Sequence, residues 1–508
     1  MTPQTATAPG WRLSELLADL ASPPVTDDLL IEHLALKDSD CGPGVLFLAY
    51  RGTAADQLHD AERAVTHGCP AVALNPEIHG GRDATVTLSS RLGVPVIAIV
   101  GLGERAGTIA ARFYGDPCSA LTVIGIIGQR PATSLAHLIA QALADERCGS
   151  MSSLGTGFVH EFFDCDPITA DPLRTHAQLA RLRTAGARSV TAEVTPGSLL
   201  SGAMDGVQPG ILIFSDHPPA ANGADGVTPA LQRLAAQPGL RWAVFNRDEP
   251  NHRFIEPNLG QAVARAGYSL MPGRPLDDCD CWVRATRIEC TADGLALDVE
   301  TSAGCGSVQV PLIGRCNASN VLAVISVLLA GDRNLRTTLG IVARLQGVPG
   351  RLERFTAPNS PLVVVDSADT PSALETAIHA LRDHRGGRVI TVFGCSGGDD
   401  PAQRPLMGST AERLSDQLIV SDNNPRGEDG EAIIKDIAAG ICAQGKLIVE
   451  RQRALAIRRA IALAGREDMV LVAGKGHETI QDMGELKVRF SDRAQAVQAL
   501  SERRGPLL

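Results

Sequence analysis

The stretch from residue 347 onward constrains the fold most. Five short apolar runs recur along it: "LVVVD" (362–366), "RVITVFG" (388–394), "QLIVSD" (417–422), "KLIVE" (446–450) and "MVLVAG" (469–474), each separated from the next by a segment of helix length. Strands buried on both faces read as unbroken β-branched runs, and strands alternating with helices build a parallel sheet covered by helices. This stretch is therefore expected to be a doubly wound α/β domain whose ligand site lies at the carboxyl ends of its strands.

The same alternation runs upstream. Residues 121–345 interleave "LTVIGIIG", "SVTAEV", "GILIF" and "RWAVF" with the helical stretches "TSLAHLIAQALA" and "LRTHAQLARLRTAG", which predicts a second parallel α/β domain. Residues 216–229, "DHPPAANGADGVTP", read as a loop on their Pro, Gly and Ala content. The first hundred residues give strands at "GVLFLAYRG", "PAVAL" and "VPVIAIVG", and a helix at "QLHDAERAVTHG" ending at Gly68. "GLGERAG" (101–107) approaches the dinucleotide fingerprint but lacks its third glycine, so it reads as a tight strand-to-helix turn. A chain of 508 residues is too long for one core. The expected α/β domains span 1–118, 119–346 and 347–508.

Composition narrows the function classes. Aromatics at 3% and a net charge of −10 argue against a nucleic-acid partner built on stacking and basic patches. No basic start with an apolar core opens the chain and no apolar run reaches the roughly 18 residues of a membrane span, so no membrane partner is expected. The 12 cysteines mostly sit singly in apolar stretches, as reduced thiols do, and a cytoplasmic location follows. Cys279 and Cys281 form the one close pair, with no second pair or histidine at ligand spacing.

Two strand ends carry polar turns. "VSDNNPRGEDGEAIIKDI" (420–437) holds Asp422, Asn423, Asn424 and Arg426, and "VLVAGKGHETIQ" (470–481) holds Lys475, His477 and Glu478. An arginine fork grips a carboxylate and a glutamate accepts from an ammonium, so the pair suits a zwitterionic amino acid. "VIGIIGQRPATSLAHLIAQALA" (123–144) has the outline of a phosphate-binding strand, turn and helix.

With "GRCNASN" (314–320), "GVPGRLERF" (347–355), "VVVDSADTPSAL" (363–374), "RPLMG" (404–408), "DNNPRGED" (422–429), "AGKGHETIQ" (473–481) and "FSDR" (490–493), the chain resembles the Mur ligases over nearly its full length. The likeness is to the branch that adds the third amino acid to UDP-N-acetylmuramoyl-dipeptide. The resemblance implies an N-terminal uridine-binding domain, a central P-loop-type ATPase domain and a C-terminal Rossmann-like amino-acid domain. It also implies ATP and Mg²⁺ as cofactors and a carboxylate activated as an acyl phosphate for attack by an amine. It assigns Glu193 and His217 to catalysis and Gly128, Thr133, Ser134, Asn317 and Arg351 to the nucleotide. Thr133 and Glu193 fall to the metal, and Ser39, Asn424, Arg426, Gly474 and Glu478 to the substrates.

This sequence departs from the family pattern at several of its phosphate positions. In "GQRPATS" (128–134), Pro131 and Ala132 replace a glycine and the lysine, while Thr133 keeps the hydroxyl that meets Mg²⁺. Arg130 is the available substitute for the lysine charge. In "AEVTPGSLLSGA" (192–203), Glu193 is kept, but Gly197 and Ala203 stand for a histidine and an arginine. Gln232 falls where the family carbamylates a lysine, and Asp369, Gly398 and Asp399 replace a histidine and an aspartate-arginine pair. Losing electrostatic help to a transferring phosphoryl group slows it by orders of magnitude. The expectation is a homologue with impaired phosphoryl transfer, acting as a binding or regulatory subunit beside an active paralogue. The alternative is a diverged but active ligase adding an amino acid to a UDP-MurNAc-peptide.

Overall fold

The computed structural model describes residues 10–21, 28–128, 131–164, 171–216, 227–250, 255–384 and 386–503. The chain is mixed α/β with three sheet-based domains, as expected. It divides into two compact units, residues 1–265 and 266–508.

The first unit holds a two-stranded pairing of Trp11–Arg12 with Leu30–Ile31 and two larger sheets. The N-terminal one is all parallel: β1 (His33–Ala35), β2 (Val45–Ala49), β3 (Ala71–Leu74) and β4 (Val96–Ala98), in that order. Helix α1 (Ala54–Thr66) starts in a capping box in which Thr53 and Asp56 satisfy each other's backbone N–H groups. After β4, Gly101 adopts φ +65° and turns the chain into helix α2 (Leu102–Phe113), the tight turn expected of "GLGERAG". The central sheet is built around β5 (Thr122–Ile127), which pairs in parallel with β9 (Ser189–Val194) on one side and β10 (Pro209–Phe214) on the other. Beyond β9 lies β6 (Cys148–Ser152), continued antiparallel by β7 (Gly155–Phe158) and β8 (Glu161–Asp164); beyond β10 lies β11 (Trp242–Asn246). The chain leaves β5 in helix α3 (Pro131–Ala142) and returns to opposite sides of it, through α4 (Pro172–Thr184) on the way to β9. The carboxyl end of β5 is thus a topological switch point.

Two expectations for this stretch need correction. Of the supposed loop at 216–229, residues 217–226 lie outside the described residues, but Val227 already begins helix α5 (Val227–Ala235). The other is the uniform α/β alternation to residue 345. In the second unit, after β12 (Ala264–Ser269), come three long antiparallel strands, β13 (Cys281–Thr291), β14 (Gly294–Thr301) and β15 (Gly304–Val310). From Leu295 onward every other residue of β14 is buried, the mark of a sheet with one face on the core. That face packs on α6 (Arg315–Ala330), whose residues from Asn320 to Ala330 are all buried.

The C-terminal sheet matches its expectation. β16 (Glu353–Phe355) is antiparallel at one edge, and β17 (Leu362–Asp366), β18 (Val389–Phe393), β19 (Gln417–Val420), β20 (Leu447–Val449) and β21 (Met469–Ala473) are parallel, in the order β16-β17-β21-β18-β19-β20. Alternate residues feed two cores. Val364, Phe393 and Leu471 pack under α7 (Pro371–Arg382), α8 (Gln403–Leu414) and α9 (Gly430–Ala438). Val363, Val365, Ile390, Val392, Val470 and Val472 pack under α10 (Arg453–Leu463) and α11 (Asp492–Arg503). With both faces covered, every position of these strands needs an apolar residue, hence the unbroken runs in the sequence. A hairpin, β22 (Ile480–Asp482) with β23 (Lys487–Arg489), follows β21.

Candidate functional site

The candidate residues fall in both units. In the first, Gly128 ends β5, and a Cβ there would come within 2.4 Å of both Ser215 Oγ and Asp216 Oδ1 at the end of β10. A side chain at 128 would have to push both groups aside. Two residues into α3, the Thr133 hydroxyl donates to Glu193 Oε2 at 3.0 Å and shares a 2.7 Å hydrogen bond with Ser153 Oγ. Glu193 Oε2 also accepts the Ser153 N–H at 2.8 Å. Thr133 and Glu193 are both buried. Glu193 reaches this point because parallel pairing sets it opposite Ile126, near the end of β5.

Threonine and serine hydroxyls beside one carboxylate are hard oxygen donors. Among the described residues no three or more His, Cys, Asp or Glu side chains cluster to hold a metal. The Thr133 and Ser153 hydroxyls and the single Glu193 carboxylate fit Mg²⁺, which binds one or two carboxylates and takes its other ligands from phosphates and water. Ser134 follows half-buried on α3, and Ala132 is fully buried. His217 and Arg130 lie outside the described residues. Ser39 is exposed in the turn between β1 and β2, its hydroxyl donating to Asp40 at 3.2 Å. That turn is held by Arg63 on Asp38 Oδ2 at 2.6 Å and by His67 Nδ1 on Asp38 O at 2.8 Å.

In the second unit the polar turns at the carboxyl ends of β19 and β21 converge across the end of β18, which lies between them in the sheet. The Lys475 ammonium is wholly buried and donates to Asn424 Oδ1, Glu478 Oε2 and Ile480 O, each at 2.8 Å. Three acceptors satisfy its three protons. Burial pushes its pKa down from the usual lysine range, and Glu478 acts against that shift. Asn424 Nδ2 donates to Glu478 Oε2 at 2.9 Å, closing a triangle of Lys475, Asn424 and Glu478. Gln481 ties the Asp422 and Asn423 carbonyls at 3.2 and 2.9 Å. Gly474, at φ +114°, leaves room for the Asn423 amide, which a Cβ would meet at 3.0 Å. Arg426, at φ +54°, donates through Nη1 to Gly397 O at 3.0 Å and lies 3.8 Å from Asp399 Oδ1.

Arg351 donates through Nη1 to Ser367 Oγ beyond β17. Beside it Gly350, at φ +63°, packs so closely on the "GKGH" turn that a Cβ would lie 2.1 Å from His477 N. Asn317 is buried in the first turn of α6, its Nδ2 on Ile313 O at 2.8 Å and its Oδ1 taking Asn320 Nδ2 at 3.0 Å. Three participants were not anticipated: Ser153, Ser367 and Gln481. Ser153 sits in "SMSSLGTG", a small-residue stretch with no distinguishing signal; Ser367 and Gln481 lie inside motifs whose charged residues draw notice first.

Residues 132–328 match the Mur ligase middle domain, and residues 350–476 match the domain described as "Mur ligase, glutamate ligase domain". A protein of Alkalilimnicola ehrlichii named UDP-N-acetylmuramoyl-L-alanyl-D-glutamate--2,6-diaminopimelate ligase is 39% identical, over 97% of this chain and 99% of its own. A protein of the same name from Coxiella burnetii is 36% identical over 97% and 100%. A solved structure of a ligase of that name superposes with a TM-score of 0.69 at 24% identity, covering 98% of this chain and 100% of its own, a likeness of fold. The full-length relatives overturn the expectation of a silent subunit, since chains alike from end to end carry the names of working ligases. Physically, the change of the loop at Pro131 and Ala132 leaves the Thr133, Ser153 and Glu193 oxygens together, so the donors suited to a metal are not dispersed.

Proposed function

The chain belongs to the Mur ligase family, and from that premise we propose that it is an active ATP-dependent amide ligase of peptidoglycan biosynthesis. It joins 2,6-diaminopimelate to UDP-N-acetylmuramoyl-L-alanyl-D-glutamate. The observation that carries this reading is full-length likeness to relatives bearing that ligase name, together with the polar turns laced around Lys475. Residues 1–118 take the uridine nucleotide with Ser39, residues 119–346 the ATP, and residues 347–508 the amino acid.

Thr133 and Glu193 would hold Mg²⁺, with Gly128 and Ser134 on either side of the phosphate loop; Asn317 and Arg351 serve the nucleotide, and His217 keeps the catalytic role that the family likeness gives it. When bound, Mg²⁺ would supply charge neutralisation at the ATP phosphates. Asn424, Arg426, Gly474 and Glu478 receive the amino acid: Arg426 its carboxylate, Glu478 an ammonium, while Lys475 fixes Glu478 and Asn424 in place. With Ala132 where the family has lysine, phosphoryl transfer lacks one cation, a loss of the order of 10²–10³ in rate for a single stabilising donor. Among the described residues no helix is long and apolar enough to cross a membrane. The described cysteines are all free thiols, which supports a cytoplasmic site of action.

The test is ADP release and product mass with the purified chain, ATP, Mg²⁺ and the nucleotide dipeptide. Diaminopimelate-dependent ADP release with formation of the nucleotide tripeptide is expected. No amine-dependent release at millimolar substrates overturns the proposal.

A further inference from the structure

We propose that Asp399 is a specificity-determining residue of the amino-acid site: with Arg426 it forms a two-point clamp for the ammonium and carboxylate at the far end of the incoming amino acid. This rests on the ligase reading above and adds a selector to it.

The clamp stands on backbone that has little freedom. The turn after β18 and the turn after β19 are laced together: Gly397 N–H donates to Asn424 O at 2.8 Å, Arg426 Nη1 to Gly397 O at 3.0 Å, and Gly398 N–H to Glu428 Oε1 at 2.6 Å. A Cβ on Gly397 would sit 1.9 Å from Pro425 O, so only glycine lets the two turns meet. From the other side, Arg426 N–H donates to Asp482 O at 3.0 Å, and a Cβ on Gly484 would lie 2.3 Å from Arg426 O. Arg426 is held at φ +54°, a strained conformation for a non-glycine residue that persists where the surroundings impose it.

Four of the nearby acids are otherwise engaged, and Glu478, which shares the ammonium with Asp399, spends its Oε2 on Lys475 and Asn424. Glu428 pairs with Arg404 at 2.7 Å, Asp436 with Arg404 at 3.0 Å, Asp422 with Arg451 at 3.1 Å, and Asp482 accepts the Gly484 N–H at 3.0 Å. Asp399 faces Arg426 at 3.8 Å, too far for a hydrogen bond, with both side chains half-exposed at 50% and 51%. A pair this open adds little stability and leaves both groups with bonding capacity.

The chemistry of the ligand follows. The attacking amine must be neutral and must lie near the activated acyl group, so the other end of the amino acid is the end seated in these turns. A far end bearing both –NH₃⁺ and –COO⁻ satisfies Asp399 and Arg426 together. L-Lysine lacks the far carboxylate and leaves Arg426 facing a cation. 2-Aminopimelate lacks the far ammonium and leaves Asp399 unpaired against a carboxylate.

The test compares 2,6-diaminopimelate, L-lysine and 2-aminopimelate by calorimetric binding to the full chain, with turnover as a second readout. The wild type is expected to prefer 2,6-diaminopimelate over both. Asp399→Asn is expected to bind 2,6-diaminopimelate about tenfold more weakly and to show a correspondingly smaller preference over 2-aminopimelate, while keeping that over lysine. Asp399→Glu is expected to restore part of the difference. Unchanged discrimination in Asp399→Asn overturns the proposal, whether or not the chain turns over. Binding discrimination that depends on Asp399 in a chain that forms no product overturns the ligase reading alone.

Discussion

Arg453 and Asp492 face each other with no solvent on either side chain, Nε donating to Oδ1 at 2.7 Å and Nη2 to Oδ2 at 2.8 Å. Arg453 Nη2 also donates to Ala473 O at 2.8 Å, the residue before Gly474, so the pair ties α10 and α11 to the strand end that carries the Lys475 turn. Removing one partner of such a pair strands a buried charge, at a cost of about 3–5 kcal/mol. Asp492→Ala is expected to lower the denaturation midpoint by that equivalent. The double change Arg453→Met with Asp492→Leu is expected to recover much of it. A single variant as stable as the wild type would show that the charge finds water or another partner.

Thr133 and Glu193 give a prediction on metal dependence. Glu193→Gln keeps an oxygen to accept the Ser153 N–H but removes the negative charge. The Mg²⁺ concentration for half-maximal ADP release is expected to rise about 10- to 100-fold, with the fold retained. Thr133→Ser keeps the hydroxyl and is expected to stay near wild type, whereas Thr133→Val is expected to resemble the glutamine variant. Equal Mg²⁺ dependence in all three removes these residues from the metal site.

What was legible in the sequence follows from how each element is buried. The C-terminal strands lie between two helical layers, so Val363, Val364 and Val365 are all apolar and the run announces itself. The meander from Cys281 to Val310 has one covered face, and its half-polar pattern was absorbed into the expected α/β alternation. Asn424, Arg426, Gly474 and Glu478 were visible because polar turns at strand ends stand out against apolar runs. Ser153 was not, because its role depends on strand register rather than on residue type. Nor does any motif show that Gly397 must be glycine; that follows only from the approach of Pro425 O.

Gly107 makes a similar demand in the first unit. A Cβ on it, in the middle of α2, would lie 2.0 Å from Asp205 O, and Gly206 approaches from the other side, its own Cβ 2.6 Å from the Gly107 backbone. The Asp205 carbonyl also accepts His176 Nε2 at 3.0 Å, so it cannot swing away without loss. Gly107→Ala is expected to destabilise by about 1–3 kcal/mol through forced backbone separation, although alanine favours a helix. A thermal shift upward in that variant would mean that α2 moves freely on its neighbour.

His384 sets a pH dependence whose sign follows from its bonds. Its Nε2 accepts the Gly314 N–H at 2.9 Å, so that nitrogen is bare, and Nδ1 donates its proton to Thr291 O at 2.8 Å. The ring is therefore neutral in the fold. Burial holds its pKa below the ordinary histidine range; the Thr291 carbonyl and Asp383 pull it up, and Arg354 lowers it. The unfolded chain, with a histidine pKa near 6.5, binds the proton more readily than the folded one, so stability rises with pH through this region. The contribution is fully present above about pH 6.5 and is lost as pH falls through the lowered folded value. Protonating Nε2 would set an N–H against the Gly314 N–H just ahead of α6, whose first turn carries Asn317. His176 is also buried with a lowered pKa, so the wild type alone does not isolate the effect. The difference between wild type and His384→Gln does: the amide offers an acceptor for Gly314 and a donor for Thr291 but does not titrate. The wild type is expected to lose stability relative to the variant as pH falls from 7.5 to 5.5, measured by denaturant unfolding at each pH. Parallel curves would show that His384 takes up its proton equally in the folded and the unfolded chain over that range.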